Sequence, residues 1–214
     1  MMWQAISGAM KTNKKPTAGI ILAAGMSTRL GQTKQLLKLK GRTLIEWVIS
    51  ASLASQLDKT ILVLGHEQQQ ILDIVKKNAL LSRLQIVLAP DYRQGMSQSL
   101  KAGLSAAREG FPSVMFLLGD QPLVTSNEIN RLLGEFWNSE KDICVPVHRG
   151  KRGNPVIFGQ ALYDELQGIQ GDIGARDMID AHGDRVHCVE TEEPASFLDI
   201  DTVEDVKKVE PLLP

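Results

Sequence analysis

Arg29 and Lys34 are the only charged residues between Gly19 and Lys34, and they stand in a loop that also holds Gly25, Ser27, Thr28 and Gly31. Such a loop has the chemistry of an anion site. Glycines let backbone N–H groups turn toward a ligand, a guanidinium offers phosphate oxygens a planar fork, and an ammonium adds a mobile point charge. Taken alone, the same loop is a Gly/Ser segment with two solvated cations. A carboxylate provides the second candidate. Asp120 follows the apolar run Ser113 to Leu118 by way of Gly119. Hard cations such as Mg²⁺ are commonly held by one or two carboxylates together with substrate phosphates. Gly119-Asp120-Gln121-Pro122 also reads as a turn, but the anion loop upstream favours the metal.

These residues need elements to position them. Ile20 to Ala24, including Leu22 and Ala23, is an unbroken apolar run of the kind buried inside a parallel sheet covered on both faces. Its loop then lies at the carboxyl end of the strand, where open α/β sheets bind ligands. Further strands are expected at Thr60–Leu64, Leu84–Ala89, Ser113–Leu118 and Ile143–Val147, with Asn154–Phe158 returning after the basic turn 148–153. Thr43 is an N-cap for a helix to about Gln56, and Glu67–Lys77 reads as a surface helix facing Ile71, Ile74 and Val75 inward. Gly95 is a turn residue and Ser97 an N-cap for a helix to about Arg108, whose free N–H groups could meet a ligand. Thr125 with Glu128 forms a capping box for a helix to about Trp137. Thr202 with Asp205 at the third helical position opens a last helix through Val206 and Val209. Strand and helix alternate at short spacing, the pattern of a parallel sheet with right-handed crossovers.

Composition narrows the function classes. A chain of 214 residues favours one domain with a full core, and a net charge of −1 excludes a globally basic surface for nucleic acid. No apolar run approaches the roughly 18 residues of a membrane span. Cys144 and Cys188 form no disulfide framework, and both are expected to be small buried residues of a cytoplasmic protein. Residues 1–17 read as a loose tail in which only Trp3 and Ile6 would pack, leaving 18–214 as the domain. His182, His187 and Cys188 match no zinc spacing and are expected to be structural.

The run Leu22-Ala23-Ala24-Gly25-x-Ser27-x-Arg29-x-Gly31-x-x-Lys34 resembles the signature loop of nucleotidyltransferases built on a Rossmann-like domain. Leu30 stands where a Met is common. The Ala-Ala-Gly form and Gly119-Asp120-Gln121-Pro122 are similar to the molybdenum cofactor cytidylyltransferases within the molybdopterin nucleotidyltransferase branch. The resemblance extends through Gly95-x-Ser97-x-Ser99-Leu100, Gly153-Asn154-Pro155, Gly171-Asp172 and Asp199-Ile200-Asp201-Thr202, with Asn154 where His is frequent. It implies a three-layer α/β fold with a mostly parallel sheet, and transfer of CMP from CTP to molybdopterin with release of pyrophosphate.

By the same resemblance, Lys34, Arg29 and Asp120 would be catalytic. Leu22, Ala23, Ala24, Gly25, Ser27, Arg29, Lys34, Gly95, Ser97 and Asp120 would meet the nucleotide. Gln121, Pro122, Gly153, Asn154, Pro155 and Asp172 would meet the second substrate. Mg²⁺ would lie between Asp120 and Asp201, with Asp199 the alternative to Asp201. The implied partners are CTP, a phosphorylated acceptor of molybdopterin type, and a molybdoenzyme or its maturation chaperone. Rival readings are a guanylyltransferase of the same cofactor, a cytidylyl or uridylyl transferase for a sugar or alcohol phosphate, and a non-catalytic nucleotide sensor or cofactor chaperone. The two carboxylates and Lys34 speak against the sensor.

Overall fold

A computed structural model of the chain describes residues 14–26, 33–77, 80–172, 174–192 and 197–213. The first half runs β1 (Thr17–Ala23), a small hairpin of β2 (Lys38–Leu39) and β3 (Arg42–Thr43), α1 (Leu44–Leu53), β4 (Lys59–Leu64), α2 (Gln68–Lys77), β5 (Gln85–Leu88), α3 (Met96–Ala107) and β6 (Ser113–Leu118). The second half adds α4 (Ser126–Asn138), β7 (Ile143–His148), β8 (Lys151–Arg152), β9 (Val156–Gly159), α5 (Tyr163–Gly168), α6 (Arg176–Ala181), β10 (Val186–Glu190) and α7 (Val203–Val209).

The main sheet has the order β10-β7-β9-β6-β1-β4-β5, with β8 attached to β7. Along this path only β9 is antiparallel to its neighbours. A mostly parallel sheet, as the sequence implies, is therefore what forms. The chain steps from β1 to β4 to β5, then crosses through α3 to β6 on the other side of β1. That reversal makes the gap between β1 and β6 the switch point, where such sheets bind ligands at their carboxyl ends.

Alternation along β1 builds the layers, because successive strand side chains point to opposite faces. Ile20 and Leu22 pack in one core with Leu100 and Leu104 of α3, Leu166 of α5 and Ile179 of α6. Ile21 and Ala23 pack in the other with Ile45 and Ile49 of α1, Ile71 of α2 and Leu132 of α4. A third, smaller cluster joins Leu39 of the hairpin to Leu44, Leu123, Ile200, Val209 and Leu213, so the C-terminal segment is fastened beside the hairpin.

Several expectations shift. β1 begins at Thr17, which is fully buried and bonds Ser113 Oγ at 2.7 Å, one residue before the expected domain start. Helix α1 ends at Leu53 instead of near Gln56, while Thr43 caps it in a capping box with Glu46. Ile74 of α2 is only half-buried. The N-cap of α3 is Gly95, not Ser97. Ser97 instead lies in the first turn, where its Oγ is buried with no hydrogen-bond partner among the described residues. At the start of α4, Thr125 accepts the Glu128 N–H as expected. Strand β10 has no sequence signal, because it is an edge strand in which Val189 is buried, Val186 only half-buried, and no continuous apolar run is present. Cys188 on it is exposed, correcting the expectation that both cysteines are buried; Cys144 on β7 is buried. Trp3 and Ile6 lie outside the described residues.

Candidate functional site

Backbone bonds fix the edge first. The Gly119 N–H donates to the Leu22 carbonyl at 3.0 Å, joining the ends of β6 and β1, and the His66 N–H donates to the Ala24 carbonyl at 3.2 Å. Lys34 opens a 3₁₀ turn closed by Leu37 N–H to the Lys34 carbonyl at 2.9 Å. From there its Nζ reaches Asp120 Oδ2 at 3.4 Å and hydrogen-bonds Asp201 as well. Asp201 is held by its own helix cap: Asp205 Oδ2 accepts the N–H of Asp201 at 3.2 Å and of Thr202 at 2.9 Å. Asp199 is held separately, by Gln121 Nε2 donating to Oδ1 at 2.7 Å.

The charges do not cancel. The side chains of Lys34, Asp120 and Asp201 are 13%, 23% and 39% exposed. Burial pushes the Asp120 carboxyl above the usual carboxylate range; the Lys34 ammonium opposes the rise, and the charge of Asp199 adds to it. Burial would lower Lys34, but the hydrogen bond to Asp201 and the charges of Asp120 and Asp201 outweigh it, so its pKa is raised. Asp120 is thus a carboxylate whose charged form burial disfavours, and a further cation beside it would offset that cost. Two oxygen donors converging on one cation suit a hard divalent ion. Among the described residues no group of three or more His, Cys, Asp or Glu could hold a metal ion.

Two clefts meet at this edge. The first, of about 610 Å³, has walls that include Leu22, Ala24, Gly25, Gly95, Ser99 and Asp120. The second, of about 420 Å³, includes Phe116, Phe158, Arg152, Gly153, Asn154 and Asp199. Leu22, Met96, Leu118 and Asp172 belong to both. Gly153 lies so close to Phe197 that a Cβ there would fall 2.4 Å from the ring.

Not every expected residue reaches the walls. The Ala23 side chain is in the sheet core. Ser97, Gln121, Pro122 and Pro155 are buried outside the walls of both clefts, although Gln121 holds Asp199. Ser27 and Arg29 lie outside the described residues. The expected free amides of α3 are already taken: Met96 N–H donates to Asp172 Oδ1 at 2.9 Å and Ser97 N–H to the Gly171 carbonyl at 3.1 Å. Sequence reasoning also missed Gln35, Tyr92, Arg93 and Ser99 on the first cleft and Arg152 and Arg176 on the second. Ser99 had a signal: with the cap on Gly95, Met96 and Ser99 are three apart and share one helix face.

A switch point that carries a lysine bonded to two aspartates and opens on two clefts is the arrangement of a nucleotidyltransferase. Residues 19–186 match the MobA-like NTP transferase domain, and the chain belongs to that family. It is similar to the molybdenum cofactor cytidylyltransferase of Escherichia coli (30% identity over 189 residues, covering 87% of this chain and 91% of that one). It is also similar to the purine catabolism protein PucB of Bacillus subtilis (27% over 196 residues, 89% and 94%). Among solved structures, Rv0371C of Mycobacterium tuberculosis in complex with manganese superposes with a TM-score of 0.72 at 25% identity, covering 92% of this chain and 98% of that one.

Proposed function

We propose that this nucleotidyltransferase moves CMP from CTP to the terminal phosphate of molybdopterin, releasing pyrophosphate. The observation that carries the reading is Lys34 Nζ bonded to both Asp201 and Asp120, of which Asp120 stands on the wall of the first cleft. The similarity to a molybdenum cofactor cytidylyltransferase supports the choice of base and acceptor. An oxygen of the acceptor phosphate attacks the α-phosphorus of CTP, and the bond from that phosphorus to the bridging oxygen breaks as pyrophosphate leaves. Little covalent chemistry falls to the protein, so its contribution is position and charge.

The backbone from Leu22 to Gly25 holds the triphosphate in the first cleft, and Ser27 and Arg29 are assigned to the same triphosphate by the family resemblance alone. Gly95 and Ser99 face the cytosine end, and Gly153, Asn154 and Asp172 receive the acceptor in the second. Lys34 offsets charge that grows on the α-phosphate and the departing pyrophosphate. Asp120 and Asp201 would hold Mg²⁺, which when bound neutralises phosphate charge so that two anionic groups can approach; the manganese complex of Rv0371C supports a divalent ion. The reading carries with it a cytoplasmic setting and delivery of product to a molybdoenzyme or its maturation chaperone. Among the described residues no helix is long and apolar enough to cross a membrane.

The test is pyrophosphate release with molybdopterin, Mg²⁺ and either CTP or GTP. CTP-dependent release is expected. Release with GTP alone would reject the cytidylyl assignment, and release with neither would reject the acceptor.

A further inference from the structure

We propose that Lys34 is the resident counter-cation of the metal site, so that a divalent ion and the triphosphate bind cooperatively and neither binds well alone. The inference rests on the reading of Asp120 and Asp201 as the metal carboxylates and goes beyond it, to how that site is filled.

The geometry sets up a competition. Lys34 Nζ hydrogen-bonds both carboxylates at once. A divalent ion shared by the same two groups must therefore displace the ammonium or sit against it, and like charges at contact repel strongly in a half-buried site. The carboxylates are the fixed partners. Asp120 follows β6 by one residue, Gly119, whose N–H is bonded to the end of β1, and Asp201 is tied to the cap of α7, with its N–H held by Asp205 Oδ2 at 3.2 Å. Lys34 is the part that can yield, because its backbone is secured in a closed 3₁₀ turn while the charge sits on a flexible four-carbon stem.

In the free protein the ammonium offsets part of the aspartates' charge and keeps a divalent ion weakly bound. When a triphosphate enters the first cleft, which Asp120 borders, its oxygens offer Lys34 a stronger anion. Nζ turns to the phosphates and leaves the carboxylates to the metal. Metal binding in turn releases Lys34 toward the nucleotide, since such coupling is reciprocal. The same lysine that serves the phosphates thus keeps the site from filling with metal before substrate is present.

The experiment is calorimetric titration of Mn²⁺ into the full-length protein, with and without an α,β-methylene analogue of CTP that cannot transfer CMP. In the wild type the analogue should tighten Mn²⁺ binding about tenfold or more. Lys34→Met should bind Mn²⁺ without nucleotide about tenfold more tightly than wild type, and the analogue should add much less. Lys34→Gln is the second neutral variant and should behave alike, whereas Lys34→Arg, which keeps the charge, should stay weak. Equal Mn²⁺ affinity with and without analogue in the wild type overturns the inference, as does Lys34→Met or Lys34→Gln binding nucleotide-free Mn²⁺ no better than wild type. If Asp120→Asn and Asp201→Asn both leave Mn²⁺ binding in the presence of analogue unchanged, the metal reading itself fails and the inference with it.

Discussion

The Met96 N–H donates to Asp172 Oδ1 at 2.9 Å, and both residues stand on the walls of both clefts. One side-chain bond therefore ties the start of α3 to the loop at Gly171–Asp172, which borders both clefts. With Ser97 N–H bonded to the Gly171 carbonyl, the loop satisfies amides that a helix N-terminus otherwise leaves open. Asp172→Ala should raise the KM for nucleotide and acceptor together and cost about 1 kcal/mol of stability, the usual effect of losing a cap. Asp172→Asn keeps an accepting oxygen and should be milder on every count. Steady-state kinetics with each substrate varied, together with thermal melts, distinguish the cases. A rise confined to the acceptor KM would make Asp172 a substrate contact and not a tie.

Gly95 permits that docking. Its φ is +111°, and a Cβ there would lie 2.6 Å from the Gly171 carbonyl oxygen, which is backbone and cannot swing aside. Gly95→Ala should cost about 1–3 kcal/mol, from a disfavoured backbone region and the clash together. Gly134 supplies a control of opposite sign. It lies inside α4 with nothing within 4 Å of its would-be Cβ, so Gly134→Ala should gain about 0.5–1 kcal/mol from helix propensity. Chemical denaturation of both variants measures the difference. Gly95→Ala as stable as wild type would remove the close approach from the explanation.

The two cysteines should separate by reactivity. Cys144 is buried, and burial pushes its thiol from an ordinary 9.0 up to about 12, with the charge of Glu135 adding to the rise. Cys188 is exposed on the edge strand. Native protein at neutral pH should therefore take one equivalent of iodoacetamide, on Cys188, and two once unfolded. The linkage has a definite sign. The unfolded thiol loses its proton near 9, while the native one keeps it to about 12. The contribution of Cys144 to stability is accordingly present below pH 9 and is lost as pH rises from there toward 12. Denaturant midpoints above pH 9 should fall less in Cys144→Ala than in wild type. Equal modification of both native cysteines would contradict the burial.

What the sequence reveals follows physical boundaries. β1, β4 and β6 are apolar on both faces, so their unbroken runs are legible; Asp120 is legible because it stands just past a strand end, and Lys34 because it closes the glycine-containing loop after β1. β10 at the sheet edge and the six-residue helices α5 and α6 carry no comparable run or period. The cap of α3 falls on Gly95 and not on Ser97, although Ser97 is a good capping type, because the Ser97 amide finds a carbonyl in the loop at Gly171, far along the chain. Gln121 shows the same limit: beside Asp120 it resembles a substrate residue, but its amide holds Asp199, 78 residues away. Contacts of that kind depend on strand order, which no local pattern encodes.

Asp120 and Asp201 test whether the carboxylates act as one unit. They come from the end of β6 and from the cap of α7, and Lys34 bridges them. If both hold one Mg²⁺, each single Asn substitution removes the ion's grip, and a second adds little. Asp120→Asn and Asp201→Asn should each lower kcat by about a hundredfold or more, and the double variant should be little worse than either, since residues that act as a unit are strongly non-additive. Asp199→Asn is the control. Its Oδ1 accepts from Gln121 at 2.7 Å, and an Asn oxygen can accept the same bond, so turnover should fall much less. Stability needs separate measurement, because each Asn also removes a partner of Lys34 and leaves the ammonium less compensated. Thermal melts of all four variants separate that loss from the catalytic one. Activities that multiply independently in the double variant, or an Asp199→Asn loss as large as that of Asp201→Asn, would break the pairing and return the second metal position to Asp199.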